Sequence, residues 1–392
     1  MKRSALSKIF CPRRGRLQGA ALLAFCCAGS LYATTLKPQP SGIYDLLNDP
    51  AHTGAVDLSL NPVIDNPNVD GYRLRISWAA IQPDNGDVYD WENIDAAIAV
   101  AAAHGKKLCI SIAAGLWSPD WIYTTDPVVY KYVMQEIDPD TGLSIGNQPL
   151  PWDTAYLAKW NKFVAAFGAR YDSNPALSYV VLGGFMEQFN LYLAGTDEDA
   201  NAMTDLAENP PPGYPGLVTS YPDFSSAYTP VAESIITTYA SSFPTTSLLL
   251  TLTPVIPGPI GQSLQNSISN WAKATFPDHL GTMVSALYAV PPPHAPPPAL
   301  VTFPKGFQLV CRAIDDPARL YQDPDPVPLP ETPIPLQDAL EHGVSLAAKY
   351  IEVYEGDLTD ASSQSVLAAE RAKLQFNAGA PAAPTGLHIL PL

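Results

Sequence analysis

Residues 71–121 constrain the fold more than any other stretch of the chain. They run as a short β-rich segment, Tyr72–Trp78, a turn at Gln82–Gly86, and the lead-in Tyr89-Asp90-Trp91. A helix is predicted next, because Ile94, Ala97, Ile98 and Ala101 recur at the spacing that lines one helical face. His104-Gly105 stops it. Lys107–Ala113 then carries the apolar run Leu-Cys-Ile-Ser-Ile, a buried strand. A strand–helix–strand unit of this length closes as a right-handed parallel crossover. Such units build sheets and barrels that hold their chemistry at the carboxyl ends of the strands. Trp78, Trp117, Ser118 and Trp121 fall at those ends, and a flat indole face suits the apolar side of a sugar ring.

The same alternation continues along the chain. Strands are predicted at 42–46, 72–78, 108–113, 178–185, 247–253, 281–289, 306–312 and 350–354. Helices are predicted at 155–171, 230–242, 261–276 and 336–348. Continuously apolar strands alternating with helices mean a parallel sheet covered on its faces. The expected fold is α/β, a (β/α)8 TIM barrel with long loops at its carboxyl-terminal face. The first and seventh units are irregular. The excursions Thr124–Pro151 and Leu191–Thr229, rich in Pro, Gly, Asp and Tyr, have the length of cleft-shaping loops.

The first 33 residues have the composition of an export signal. Lys2, Arg3, Lys8, Arg13, Arg14 and Arg16 precede the short apolar run Ala20–Ala28, which is too short to span a bilayer. Cleavage is expected after Ser30 or Ala33, giving a periplasmic or extracellular protein, and a lipid anchor at Cys26 is the weaker alternative. Residues 34–378 are then the barrel, and 379–392 a Pro/Ala-rich tail. Removing the leader takes away six of the 22 basic residues and none of the 38 acidic ones, leaving a net charge of −22. A chain this acidic is repelled by nucleic acid and by anionic lipid, whereas neutral glycans stay open as ligands. Cys109 and Cys311 read as small buried hydrophobes. No Cys/His cluster has metal-ligand spacing, and no phosphate loop or dinucleotide fingerprint occurs, so neither a metal nor a cofactor is expected.

The chemistry points to carboxylates. Glu187 follows the fourth strand in GGFMEQFN. There two glycines thin the strand for a ligand or a neighbouring chain, and apolar Phe185 and Met186 would raise an acid's pKa toward that of a general acid. Glu352 lies within the last strand, YIEVYEGD. A glutamate in an apolar strand is costly unless it is paired or functional, so it is either the second carboxylate or one half of a salt bridge, with Arg75 as partner. Glu355 is the reserve for the second role. Two carboxylates across a cleft are the minimal machinery of glycoside hydrolysis. Arg75, Trp78, Trp117, Trp121, Trp152, Gln188, Asn190, Tyr288 and Gln308 are candidates for gripping or stacking a carbohydrate substrate.

Residues 72–123 resemble the N-terminal barrel of the β-galactosidase-like glycoside hydrolases, family 42 and its relatives. The pattern comprises Arg75, Trp78, Ile81-Gln82-Pro83, Gly86, Tyr89-Asp90-Trp91, Ile94-Asp95, Gly105-Lys106-Lys107 and Ser118-Pro119-Asp120-Trp121. Pro151-Trp152, Trp160 and Arg170-Tyr171 extend it, and the resemblance covers about residues 70–190. It implies an acid/base glutamate at the end of the fourth strand, where Glu187 stands, although Met186 occupies the place of the usual asparagine. It also implies a nucleophile glutamate at the end of the seventh strand, where GFQLVCR offers Gln308 instead. Glu352 is then the nucleophile if YIEVYEGD takes that strand's part, in a retaining enzyme. The alternative is a barrel that binds carbohydrate without hydrolysing it.

Overall fold

The computed structural model describes residues 35–47, 52–139, 141–186, 191–287, 305–309 and 336–379. Eight parallel strands close a barrel. In chain order they are β1 (Gly42–Leu46), β2 (Gly71–Ser77), β3 (Lys107–Ala113), β6 (Leu177–Val181), β7 (Ser247–Thr251), β8 (Leu280–Leu287), β9 (Lys305–Leu309) and β10 (Ala348–Val353). Each pairs with its neighbour in sequence, and β1 closes the ring by pairing with both β2 and β10. Two short strands, β4 (Lys131–Val133) and β5 (Asn147–Pro149), form an antiparallel hairpin inside the excursion after β3. The (β/α)8 expectation therefore holds, and the first unit is irregular as expected, its described residues holding a 3-10 turn at Leu58–Leu60 and no α-helix before β2.

Strand β2 shows how the sequence makes two cores. In GYRLRIS, Tyr72, Leu74 and Ile76 join the large apolar layer between sheet and helices. Arg73 has the opposite parity. It is fully buried on the inner side, with Tyr44, Cys109, Tyr179, Val181, Leu249, Met283 and Tyr350 filling the barrel around it. The barrel is thus plugged by side chains rather than hollow.

The helices follow from their caps and stripes, starting with the single turn α1 (Trp78–Ile81), whose cap Ser77 accepts from Ala80 N. α2 (Glu92–Ala103) buries Ile94, Ala97, Ile98 and Ala101, the four positions that predict it. In α3 (Thr154–Tyr171), Asp153 accepts from Ala155 N and Tyr156 N, satisfying donors that the first turn leaves open. The stripe Tyr156, Trp160, Phe163, Phe167 and Tyr171 is buried. Its rings stack at 5.3 Å between Trp160 and Phe163 and 6.4 Å between Phe163 and Phe167. α4 (Asp197–Glu208) lies in the excursion after β6. Its Asp199 is fully buried and accepts from Tyr132 Oη and Gln135 N, both at 2.7 Å, and from Glu136 N at 3.0 Å. One carboxylate thereby ties the two excursions together. α5 (Phe224–Ser242) and α6 (Gly258–Thr275) follow, then α7 (Leu336–Ser345), α8 (Glu355–Thr359) and α9 (Gln364–Gly379). The expected leader, Cys311, and all of the expected tail but Gly379 lie outside the described residues.

Candidate active site

The carboxyl ends of the strands carry the candidates. Glu187, Gln188 and Asn190 lie outside the described residues, as does Tyr288. The segments flanking Glu187 are firmly held. Leu116 N donates to Met186 O at 2.9 Å, Met186 N to Tyr192 O at 3.2 Å, and Leu193 N to Val255 O at 2.8 Å. Gly115 sits at φ 58°, and a Cβ there would come within 1.9 Å of Phe185 O. The glycines before Glu187 serve close packing. A Cβ on Gly183 would meet Ile112 O at 2.3 Å, and one on Gly184 would meet Trp160 Nε1 at 2.5 Å. They admit a neighbouring strand and an indole, the second of the two uses expected for them. Phe185 and Met186 are themselves buried.

Glu352 requires a correction. Its side chain is fully buried in the barrel. Oε2 accepts from Arg73 Nη1 at 2.7 Å and Oε1 from Tyr179 Oη at 2.9 Å. Both oxygens are committed, and no face is open to an anomeric carbon, so in this structure Glu352 is an interior ion-pair partner rather than a nucleophile. The expected partner was Arg75, but the barrel's stagger brings Arg73 to it instead. Arg75 directs Nη2 to Leu47 O at 2.8 Å, at the end of β1. Burial opposes the charge on Arg73, and Glu352 outweighs it, holding the guanidinium well above its usual value. Burial and then the Glu352 charge push the Cys109 thiol up as well. An inert, neutral thiol agrees with its reading as a small hydrophobe.

Two tryptophans are also reassigned. Trp78 is fully buried, donates Nε1 to Gln82 Oε1 at 2.8 Å and meets Trp160 edge-on at 5.1 Å. Trp152 is 2% exposed and abuts Phe224. Neither presents a ring face to a ligand, because both were recruited into the aromatic core around α3. Trp121 is half-buried, with Nε1 bonded to Gln82 O at 2.9 Å. Trp117 is half-buried too, and meets the His52 ring edge-on at 4.6 Å. Its Nε1 has no hydrogen-bond partner among the described residues. Trp117 and Trp121, both partly exposed, therefore remain candidates for stacking, with Lys159 Nζ 5.9 Å from the Trp121 ring centroid. Gln308 lies on β9, its backbone opposite Glu352.

A second acidic group was missed. Asp45, near the end of β1, is fully buried and accepts from Asn61 Nδ2 at 2.8 Å. The same Nδ2 lies 3.4 Å from Oε2 of Glu355, which is exposed and opens α8 directly after β10. Burial, opposed by the Asn61 bond and reinforced by the Glu355 charge, pushes Asp45 up to about 7. The signal was available: an acid inside GIYDL is as anomalous as the one inside YIEV.

The fold is that of a (β/α)8 barrel, and a segment of the chain matches a known family. The model of glycoside hydrolase family 42, described as β-galactosidase, matches residues 65–183. The β-galactosidase of the psychrophilic Marinomonas ef1 superposes with a TM-score of 0.50 at 10% identity, over 87% of this chain and 62% of that one. The chain thus spans less than two thirds of that enzyme. The β-amylase catalytic domain of Paenibacillus polymyxa aligns with a TM-score of 0.46 at 10% identity, over 88% of this chain and 99% of that one. Xylanase B of Clostridium stercorarium F9 gives 0.41 at 12% identity, over 80% and 85%. No curated protein sequence matches the chain. Taken together, the family segment and the barrel support a hydrolase acting on glycosidic bonds.

Proposed function

We propose that the chain is an exported glycoside hydrolase of β-galactosidase-like type, working with two carboxylates. Glu187 is its general acid/base and Glu355 its second carboxylate. The observation that carries this reading is the family match over residues 65–183, which ends just before the Glu187 loop. The backbone on both sides of that loop is pinned to the ends of neighbouring barrel segments. Glu355 is favoured over Glu352 because it is exposed at the end of the last strand, while Glu352 is sealed inside. Trp117 and Trp121 supply faces for sugar rings. One carboxylate protonates the leaving oxygen while the other attacks carbon or activates water.

A non-catalytic carbohydrate-binding barrel is the second reading, and one observation favours it. The only glutamate the described residues place within the barrel is consumed by an ion pair.

Hydrolysis of a panel of aryl glycosides, galactosides included, by the purified chain and by its Glu187→Gln and Glu355→Gln variants separates the two. Loss of about 10²–10⁴-fold in kcat for each variant supports the hydrolase. Glycan binding without turnover in the parent, unchanged in both variants, supports the binding barrel.

A further inference from the structure

Asn61 cannot turn its amide freely. Its Oδ1 accepts Val63 N at 2.9 Å, which fixes Nδ2 toward two carboxylates, Asp45 at 2.8 Å and Glu355 at 3.4 Å. Those two acids stand on β1 and just beyond β10, the strands that close the barrel. Among the described residues no ion pair reaches either one. A further titratable group beside Asp45 is Tyr72 on the adjacent strand, directly opposite it in register. Its hydroxyl donates to Val63 O at 3.2 Å. Burial, then the charges of Asp45 and Asp65, push that phenol up, so it brings no charge of its own at neutral pH. Ionising Asp45 sets a second like charge beside the one amide that both acids share. Burial selects Asp45 as the acid that keeps its proton.

We propose that Asp45 is a positioning residue for Glu355: while protonated it holds Asn61 and lets the amide orient the exposed carboxylate, and when ionised it competes for the amide and repels that carboxylate. The proposal rests on the reading of Glu355 as the second catalytic carboxylate, and it assigns a group that this reading leaves idle.

Asp45 keeps its proton in the folded chain up to about pH 7, whereas the ordinary carboxyl value is 3.8. Between these values the folded state binds more protons than the unfolded one. Stability contributed by Asp45 is therefore lost as pH rises through that window and is constant above it. Asp45→Asn mimics the protonated acid and still accepts from Asn61.

The test measures thermal unfolding and aryl-glycoside turnover of the full chain from pH 4 to pH 8.5, for the parent, Asp45→Asn and Glu355→Gln. The unfolding temperature of the parent is expected to fall relative to Asp45→Asn up to about pH 7, with a constant gap above. The kcat of the parent should step down by about fivefold near pH 7, at the lower end of coupling between sites. That step should be absent from Asp45→Asn, with KM unchanged. Parallel unfolding curves for the parent and Asp45→Asn would overturn the proposal, as would a step that survives in Asp45→Asn. A fully active Glu355→Gln alongside a pH-dependent stability gap would instead overturn the catalytic reading of Glu355, which keeps the two failures apart.

Discussion

Residue identity in this barrel is decided by parity and by company. Arg73 and Arg75 share a strand face two residues apart, yet one meets Glu352 and the other the Leu47 carbonyl. A buried ion pair contributes little net stability when intact, but a lone buried charge is costly. Arg73→Met, which strands Glu352, is therefore expected to cost about 3–5 kcal/mol in urea unfolding. Glu352→Gln keeps the shape and a hydrogen bond to Tyr179, but it leaves the Arg73 charge buried without its counterion and is expected to cost a similar amount. Its folded fraction should hydrolyse the substrate of the parent at a comparable kcat. A selective loss of turnover in a fully stable Glu352→Gln protein would restore Glu352 as the nucleophile. The tryptophans obey the same logic. An indole among Tyr156, Trp160 and Phe163 fills core, whereas Trp117 keeps a surface.

At the scale of elements, loops are held by single groups whose removal has a calculable effect. Gly115 lets the turn after β3 press its backbone on Phe185 and Met186. Alanine there meets both the left-handed backbone and the Phe185 carbonyl. Gly115→Ala is expected to lower stability by about 1–3 kcal/mol, measured by thermal unfolding. Because the pushed segment leads straight into Glu187, kcat should fall more than KM rises. The helix ends show why boundaries drift in a reading from sequence. Pro230 reads as the first position of a helix, but Asp223 caps the helix six residues earlier by accepting from Ser226 N. Pro230 therefore lies inside the helix, at its seventh position, where it gives up one i→i−4 hydrogen bond.

For the whole molecule, stability hinges on how the first and last units close the ring. Asp70 stands at that seam. It accepts Ile43 N at 3.0 Å, Arg371 Nε at 2.8 Å and Nη2 at 2.6 Å, and Gln375 Nε2 at 3.1 Å. It thus joins α9 to the start of β1. Asp70→Ala leaves a half-buried guanidinium without its fork partner. It is expected to cost about 1–3 kcal/mol, read as a lower midpoint of a single cooperative unfolding transition. The strand-and-helix order behind this ring was legible in the sequence because it depends on local periodicity. Ile94, Ala97, Ile98 and Ala101 announce a helix, and Leu-Cys-Ile-Ser-Ile a buried strand, wherever they lie in space. The family likeness over residues 72–123 was legible for the same reason, being a run of neighbouring residues. Which arginine meets Glu352, which tryptophans keep a free face, and that Asp45 shares an amide with Glu355 were not legible. These pairings join residues as far apart as 294 positions, and they depend on barrel stagger and helix packing, which no local pattern records. The sequence by itself determined the alternation of elements and the acids out of place within them. Only the tertiary structure decided their partners, because closing the barrel sets which inward side chains share a layer.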